Sequence, residues 1–269
     1  MPETTLWWFF RGQHERAMLA ATFPNTRAVI VRSLRKILHR TGTLDAALKL
    51  KRKFIPAEMA FRPCTPNLLI AVTESLKYLS QFDPGSGDYL EFGIFRGFTF
   101  WYAQATARLF GLNDMRFFGF DSFSGLPEIS NGLDVSKEFE EGNYECTRPQ
   151  VESYLSRYGV DWGKTHLVEG AFAESLTSQL RCEKKLAGFR LCVIDCDLYQ
   201  STKEALAFAA PLVLDGSIIL FDDWNSFGAS DQKGERAAFR EFLNTNPHWN
   251  AEPFTEFGNH GAGFLMGKR

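Results

Sequence analysis

The chain has 269 residues, 45% of them hydrophobic and 23% charged, which is enough apolar side chain to bury a sizeable core and excludes wholesale disorder. Its longest apolar runs, such as 6–10 and 218–221, are far too short to span a bilayer, and no leader-like stretch opens it. The net charge of −2 is unevenly spread: residues 1–62 carry twelve Lys/Arg against four Asp/Glu, and 63–269 carry eighteen against twenty-eight. A basic head on an acidic body is expected to meet phosphates, anionic lipid or the body itself. Five cysteines with no CxxC pair argue against a disulfide framework, so a soluble, reduced, cytoplasmic protein is expected.

In the head, Asn25 or Thr26 would cap a helix through Arg40, with Ile30, Val31, Leu34, Ile37 and Leu38 as its apolar stripe. A second helix is signalled by Thr65 as cap and Pro66 at the first position, with Leu68, Leu69, Val72, Leu76 and Leu79 on one face. After the turn at 83–87 the texture changes to short apolar runs alternating with helical patterns. Strands are predicted over 89–94, 117–120, 166–169, 190–194 and 216–221. Helices are predicted over 99–110, 147–158, 174–181, 201–214 and 235–244, with a closing strand pair near 253–257 and 263–266. Such alternation implies a doubly wound, mostly parallel sheet with helices on both faces and ligands at the carboxyl ends of its strands.

Four strand ends carry chemistry. Glu91-Phe-Gly-Ile-Phe-Arg-Gly97 is a tight strand-to-helix turn whose glycines admit a close ligand. Its acidic Glu91 would repel a pyrophosphate and suit an ammonium or sulfonium group. Asp121, ending the next strand, is placed to accept hydrogen bonds from both hydroxyls of a ribose. Asp195-Cys196-Asp197 and Asp222-Asp223 end two apolar strands, and four neighbouring carboxylates repel one another unless a cation lies between them. An all-oxygen set with no nearby His suits a hard divalent ion such as Mg2+. Cys196 should point away from the carboxylates.

These blocks, with Phe118-Gly-Phe-Asp-Ser-Phe-Ser-Gly-Leu-Pro-Glu128, Ile194-Asp-Cys-Asp-Leu-Tyr-Gln-Ser-Thr202 and Gly216-Ser-Ile-Ile-Leu-Phe-Asp-Asp223, resemble the macrocin/mycinamicin-type sugar O-methyltransferases over about residues 60–269. That family is metal-dependent and uses S-adenosylmethionine. The resemblance implies a class I methyltransferase fold, Rossmann-like with an antiparallel last strand, at 61–269. It finds no counterpart for residues 1–60, expected to be a basic helical extension acting as lid or dimer contact. It implies that Glu91, Gly93 and Gly97, with Phe95 and Thr99 of the same block, frame the methionine end of the cofactor. Asp121 and Ser122 would meet its ribose, Gly170, Ala171 and Phe172 would lie by the adenine, and Asp195 would touch cofactor and metal alike. Asp195, Asp222 and Asp223 would hold Mg2+ or another hard divalent cation, and Asp197 would be the general base.

The expected reaction is methylation of a hydroxyl on a sugar or glycosylated small molecule of natural-product or glycolipid type, with a vicinal diol as the natural acceptor. Catechol or phenol methylation, or a non-catalytic cofactor-binding or membrane-adaptor role, are the rival readings. A homo-oligomer is expected, with no nucleic-acid partner. The basic head and the run 6–10 suggest a peripheral membrane contact, but docking on the core or a second subunit is favoured. Phe123, Phe139, Tyr144 and Trp224 are candidate walls of the acceptor pocket, and His260 is the one histidine considered as a substrate contact.

Overall fold

The computed structural model describes residues 61, 63, 65–82, 86–129, 134 and 139–269. The expected helix at 26–40, the run 6–10 and the whole extension lie outside the described residues.

Thr65 and Pro66 open α1 (Pro66–Phe82), whose Leu68, Val72, Leu76 and Leu79 are buried along one face. The chain then alternates β1 (Asp88–Phe92), α2 (Phe98–Leu109), β2 (Phe117–Asp121), α3 (Arg148–Arg157) and β3 (Thr165–Glu169). Two short helices follow, α4 (Phe172–Ser175) and α5 (Ser178–Glu183), and then β4 (Phe189–Ile194), α6 (Tyr199–Ala209) and β5 (Val213–Phe221). After α7 (Gly234–Thr245) the chain closes with β6 (Trp249–Phe257) and β7 (Gly261–Lys268).

The strands form one seven-stranded sheet in the order β3-β2-β1-β4-β5-β7-β6. Pairs up to β4–β5 are parallel, and β7 runs antiparallel to β5 and β6. This is the mostly parallel, doubly wound sheet expected from the alternating pattern, with the antiparallel end of the class I methyltransferase fold that the resemblance implies. β1 is buried throughout, as are the halves of β4 and β5 that lead to their carboxyl ends; Leu90, Phe92, Phe118, Phe120, Cys192, Ile194, Ile219 and Phe221 share a core with α6 and α7. Phe92 stacks on Phe120 at 4.6 Å between ring centroids, and Phe221 packs on Phe239 of α7 at 4.9 Å. Burial on both faces is why these strands read as continuous apolar runs rather than alternating ones.

Two helices depart from expectation. The helix expected over 174–181 is divided, because Thr177 accepts the Leu180 N–H on its side chain at 3.1 Å and starts a new helix there. The helix expected to run to 214 ends at Ala209 in a 3-10 turn (Ala210–Leu212). Pro211 supplies no N–H and its ring crowds the preceding turn, so the chain enters β5 early. No helix among the described residues is long and apolar enough to cross a membrane.

Candidate functional site

Sheet register builds the site. Phe120, Phe92, Ile194 and Phe221 pair side by side across β2, β1, β4 and β5. The residues that follow them, Asp121, Gly93, Asp195 and Asp222, therefore stand in a row at the carboxyl edge of the sheet. Backbone bonds lock the row: Gly93 N–H donates to Phe120 O at 2.9 Å, Asp195 N–H to Phe92 O at 2.9 Å, and Asp222 N–H to Ile194 O at 3.1 Å. The order β2-β1-β4-β5 reverses direction between β1 and β4, where such sheets open a crevice for ligands.

A cavity of about 730 Å³ occupies that crevice, a size typical of small-molecule sites. Its wall contains Gly93, Phe95, Asp121, Ser122, Ala171, Phe172, Asp195, Asp197, Asp222 and Asp223. Gly93 has φ +85°, and a Cβ there would lie 1.8 Å from the carbonyl oxygen of Asp195, so only glycine lets β1 and β4 meet this closely. Gly97, at φ +79°, is the left-handed residue just before α2 and lies outside the wall, as do Thr99 and Gly170.

Glu91 is placed differently from the expectation that it faces the cofactor. Strand alternation turns it, with Tyr89, to the opposite side of β1 from Leu90 and Phe92. It is 1% exposed, absent from the cavity wall, and accepts a hydrogen bond from the Tyr89 hydroxyl. Burial pushes its carboxyl up to about 8, with the Asp121 charge adding to the rise and the Tyr89 bond opposing it. The folded chain thus keeps a proton that the unfolded chain releases near 4.5. Its stabilising contribution is complete below that pH and is lost as pH rises through about 8. Glu91→Gln should match the wild type in urea unfolding near pH 5. It should exceed it increasingly toward pH 8, by at most about 1.4 kcal/mol per pH unit. Parallel stability curves for the two proteins would refute this assignment.

Asp121 serves the loops first. Oδ2 accepts the N–H groups of Ile94 and Phe95 at 2.7 and 3.0 Å, and Oδ1 accepts that of Phe123 at 2.7 Å. Burial raises its pKa, and these three bonds oppose the rise. The carboxylate ties the glycine turn to the β2 loop while remaining in the cavity wall. Ser122 braces the same loop, its hydroxyl bonded to Gly125 O at 3.1 Å.

One carboxylate oxygen from each of Asp195, Asp222 and Asp223 lies within 4.8 Å of the others. Thr65 donates its hydroxyl to Asp222, and Ser226 donates to Asp223 Oδ1 at 2.9 Å. Burial, then the charges of Asp222, Asp197 and Asp223, holds Asp195 well above the carboxylate range. Asp222 is pushed up to about 7 by burial and by Asp223. Asp197 sits at φ +63°, an uncommon conformation for a non-glycine residue, and hydrogen-bonds to Asp223. Its carboxyl is also held well above the usual range, by burial and by the Asp223 charge. Mutually opposed carboxyls with oxygen-only donors are the surroundings that a hard divalent cation relieves, so the residues fit such an ion.

Cys196 places its thiol 3.7 Å from the Thr202 hydroxyl and joins the core cluster. It also lines the cavity, and the charges of Glu235, Asp197 and Asp195 add to the rise that burial gives its pKa, so, contrary to expectation, it is not clear of the carboxylates. Of the aromatic candidates, Tyr144 lines the cavity, whereas Phe123, Phe139 and Trp224 do not. Phe139 packs on Phe227, and Trp224 packs among Phe221, Phe239 and Phe264. His260 is exposed at the turn before β7 and is not part of the cavity wall. Sequence reasoning missed three contributors. Thr65 reaches Asp222; Asp134 caps α6 by accepting the N–H groups of Tyr199 and Gln200; and buried Glu235 accepts the Asp223 N–H at 3.0 Å. The Thr65-Pro66 signature marked a helix start, but nothing local told where its hydroxyl would point.

Among curated proteins, the chain is similar to the 8-demethyl-8-(2,3-dimethoxy-alpha-L-rhamnosyl)-tetracenomycin-C 4'-O-methyltransferase of Streptomyces olivaceus, 32% identical over 143 residues, 51% of this chain and 53% of that one. It is also similar to the mycinamicin III 3''-O-methyltransferase of Micromonospora griseorubida, 26% identical over 145 residues, 51% of this chain and 55% of that one. The chain spans about half the length of the curated relatives it matches. Two solved structures share the fold. The calicheamicin methyltransferase CalS11 matches with TM-score 0.61 and 22% identity over 87% of this chain and 90% of that one. The O-methyltransferase NovP matches with TM-score 0.60 and 19% identity over 76% and 80%. The model of the macrocin-O-methyltransferase (TylF) family matches residues 77–254, two-thirds of the sequence and nearly all of the sheet that carries the site, and the chain belongs to that family.

Proposed function

We propose that the chain transfers a methyl group from S-adenosylmethionine to a hydroxyl of a sugar or glycosylated small molecule, assisted by a divalent cation, with Mg2+ as the natural choice. The observation that carries this reading is the single cavity in which the glycine turn of β1 and Asp121 of β2 face the carboxylates of β4 and β5. The two curated relatives that match half of the chain are named as O-methyltransferases of a rhamnosyl-tetracenomycin and of mycinamicin III, which supports a glycosylated small molecule as the acceptor class.

Gly93, Phe95, Asp121, Ser122, Ala171 and Phe172 would hold the cofactor, with Gly97 shaping the turn behind it. Asp195, Asp222 and Asp223 would hold the cation. When bound, the cofactor supplies an electrophilic methyl group and the cation supplies Lewis acidity that makes an alcohol easier to deprotonate. Asp197 takes the proton from the acceptor hydroxyl on its carboxylate, and it must be ionised when it does so. The turn at Gly93 and the row of strand ends would hold donor and acceptor in one cavity, and such apposition accounts for much of the rate in a displacement.

The wall also bears on the acceptor. Besides the central carboxylates it carries Glu128, Glu141 and Glu204, and no Lys, Arg or His among the described residues. Such a wall favours an uncharged or cationic glycoside over a sugar still carrying a nucleoside diphosphate. Calorimetric titration of S-adenosylmethionine into the protein, then of Mg2+ in its presence, should show saturable binding of both. Turnover should follow with a panel of vicinal-diol glycosides and not with nucleotide sugars. Cofactor binding without metal binding would retire the cation, and turnover of a catechol but of no glycoside would retire the sugar acceptor.

A further inference from the structure

Glu235 is the second residue of α7 and is 1% exposed. Its Oε2 accepts the backbone N–H of Asp223 at 3.0 Å, and its Oε1 receives no hydrogen bond from any described residue. The carboxylates acting on it are, in order of strength, those of Asp223, Asp222 and Asp197. A glutamate in the first turn of a helix is ordinarily favoured by the helix dipole, but an exposed side chain gains that benefit equally. Dipole stabilisation therefore does not account for burying a carboxyl beside three others, an arrangement that is unfavourable unless something compensates for it.

Building on the cation reading above, we propose that Glu235 is a positioning residue of the cation site, acting through Asp223. One of its oxygens fixes the backbone from which the Asp223 carboxylate projects. The other is a buried, unpartnered acceptor behind the cavity wall on which the charges of Asp223, Asp222 and Asp197 act, suited to a water molecule of the shell that a hard divalent ion retains. Its negative charge also adds to the field that favours a cation there.

The test is Mg2+ titration into the full chain in the wild type, Glu235→Gln and Glu235→Asp, with melting temperatures in chelator alongside. Gln keeps the size of the side chain and an acceptor oxygen for the Asp223 N–H, but loses the charge and places a donor where Oε1 lay. The expected result is a Gln variant whose melting temperature in chelator is at or above the wild type's and whose Mg2+ affinity is about 10–100-fold weaker. The Asp variant, which keeps the charge, should fall between the two. A Gln variant that binds Mg2+ like the wild type overturns the proposal and leaves Glu235 as a backbone brace only. An Asp variant weaker than the Gln variant overturns it too, because packing rather than charge would then decide affinity. If the wild type binds no divalent cation, the underlying reading falls first and this inference falls with it. The wild-type isotherm alone distinguishes that case.

Discussion

Asp197→Asn should bind S-adenosylmethionine and Mg2+ like the wild type while its kcat falls by roughly 10²–10⁴-fold, the usual contribution of a positioned general base. The carboxamide has nearly the shape of the carboxylate, and Asn tolerates a left-handed backbone as readily as Asp, so φ +63° adds no new strain. It can still hydrogen-bond to Asp223, and it replaces one of the carboxyls that crowd the cluster with a group that does not ionise. Folding and ligand binding are therefore spared, while the ability to take a proton is lost. Single-turnover kinetics with a saturating glycoside acceptor measure the step directly. Undiminished turnover would show that the proton leaves by another route.

Asp222→Ala should lose more than about 100-fold in Mg2+ affinity, beyond the ceiling for changes outside the ligand shell, and turnover should go with it. The accompanying change in stability has the opposite sign from most core truncations. In the metal-free chain Asp222 is a buried carboxyl pushed up to about 7 by its surroundings and by Asp223. Removing it relieves that opposition, so the variant should melt no lower than the wild type in chelator. In excess Mg2+ the order should reverse, because only the wild type gains stability from binding. Calorimetric scans with and without Mg2+ read both effects. A variant that melts lower in chelator, or one that still gains stability from Mg2+, would show that Asp222 is structural rather than a ligand.

Much of the architecture is local information. The apolar runs ending in Phe92, Phe120, Ile194 and Phe221 identify buried parallel strands because both of their faces are covered. Thr65-Pro66 and Thr147 mark helix starts; Gln150 accepts the Thr147 N–H at 3.0 Å, as the capping pattern requires. The helix boundaries at Thr177 and Pro211 were equally local in cause, but a helix-period pattern ran across both and outweighed them.

The acidic and glycine-rich strand ends were legible as chemistry, since residue type and position at a strand end survive any error in packing. The orientations of those residues and the identity of their partners were not. Glu91 belongs to the same motif as Gly93, yet alternation in β1 sends it to Tyr89 and out of the cavity. Asp121 is engaged by the amides of a turn 26 and 27 residues earlier in the chain, which no spacing rule anticipates.

By itself, then, the sequence determined the strand–helix alternation and the kinds of residue ending each strand, because these depend on burial pattern and turn chemistry within a few neighbours. Only the tertiary structure decided that Gly93 meets Asp195, that Thr65 and Glu235 brace the Asp222-Asp223 pair, and that Trp224 packs among Phe221, Phe239 and Phe264. The physical reason is that these contacts join residues far apart in the chain: the register of four paired strands aligns the strand ends, and Thr65 and Glu235 come to them from outside the strands, which no local pattern encodes.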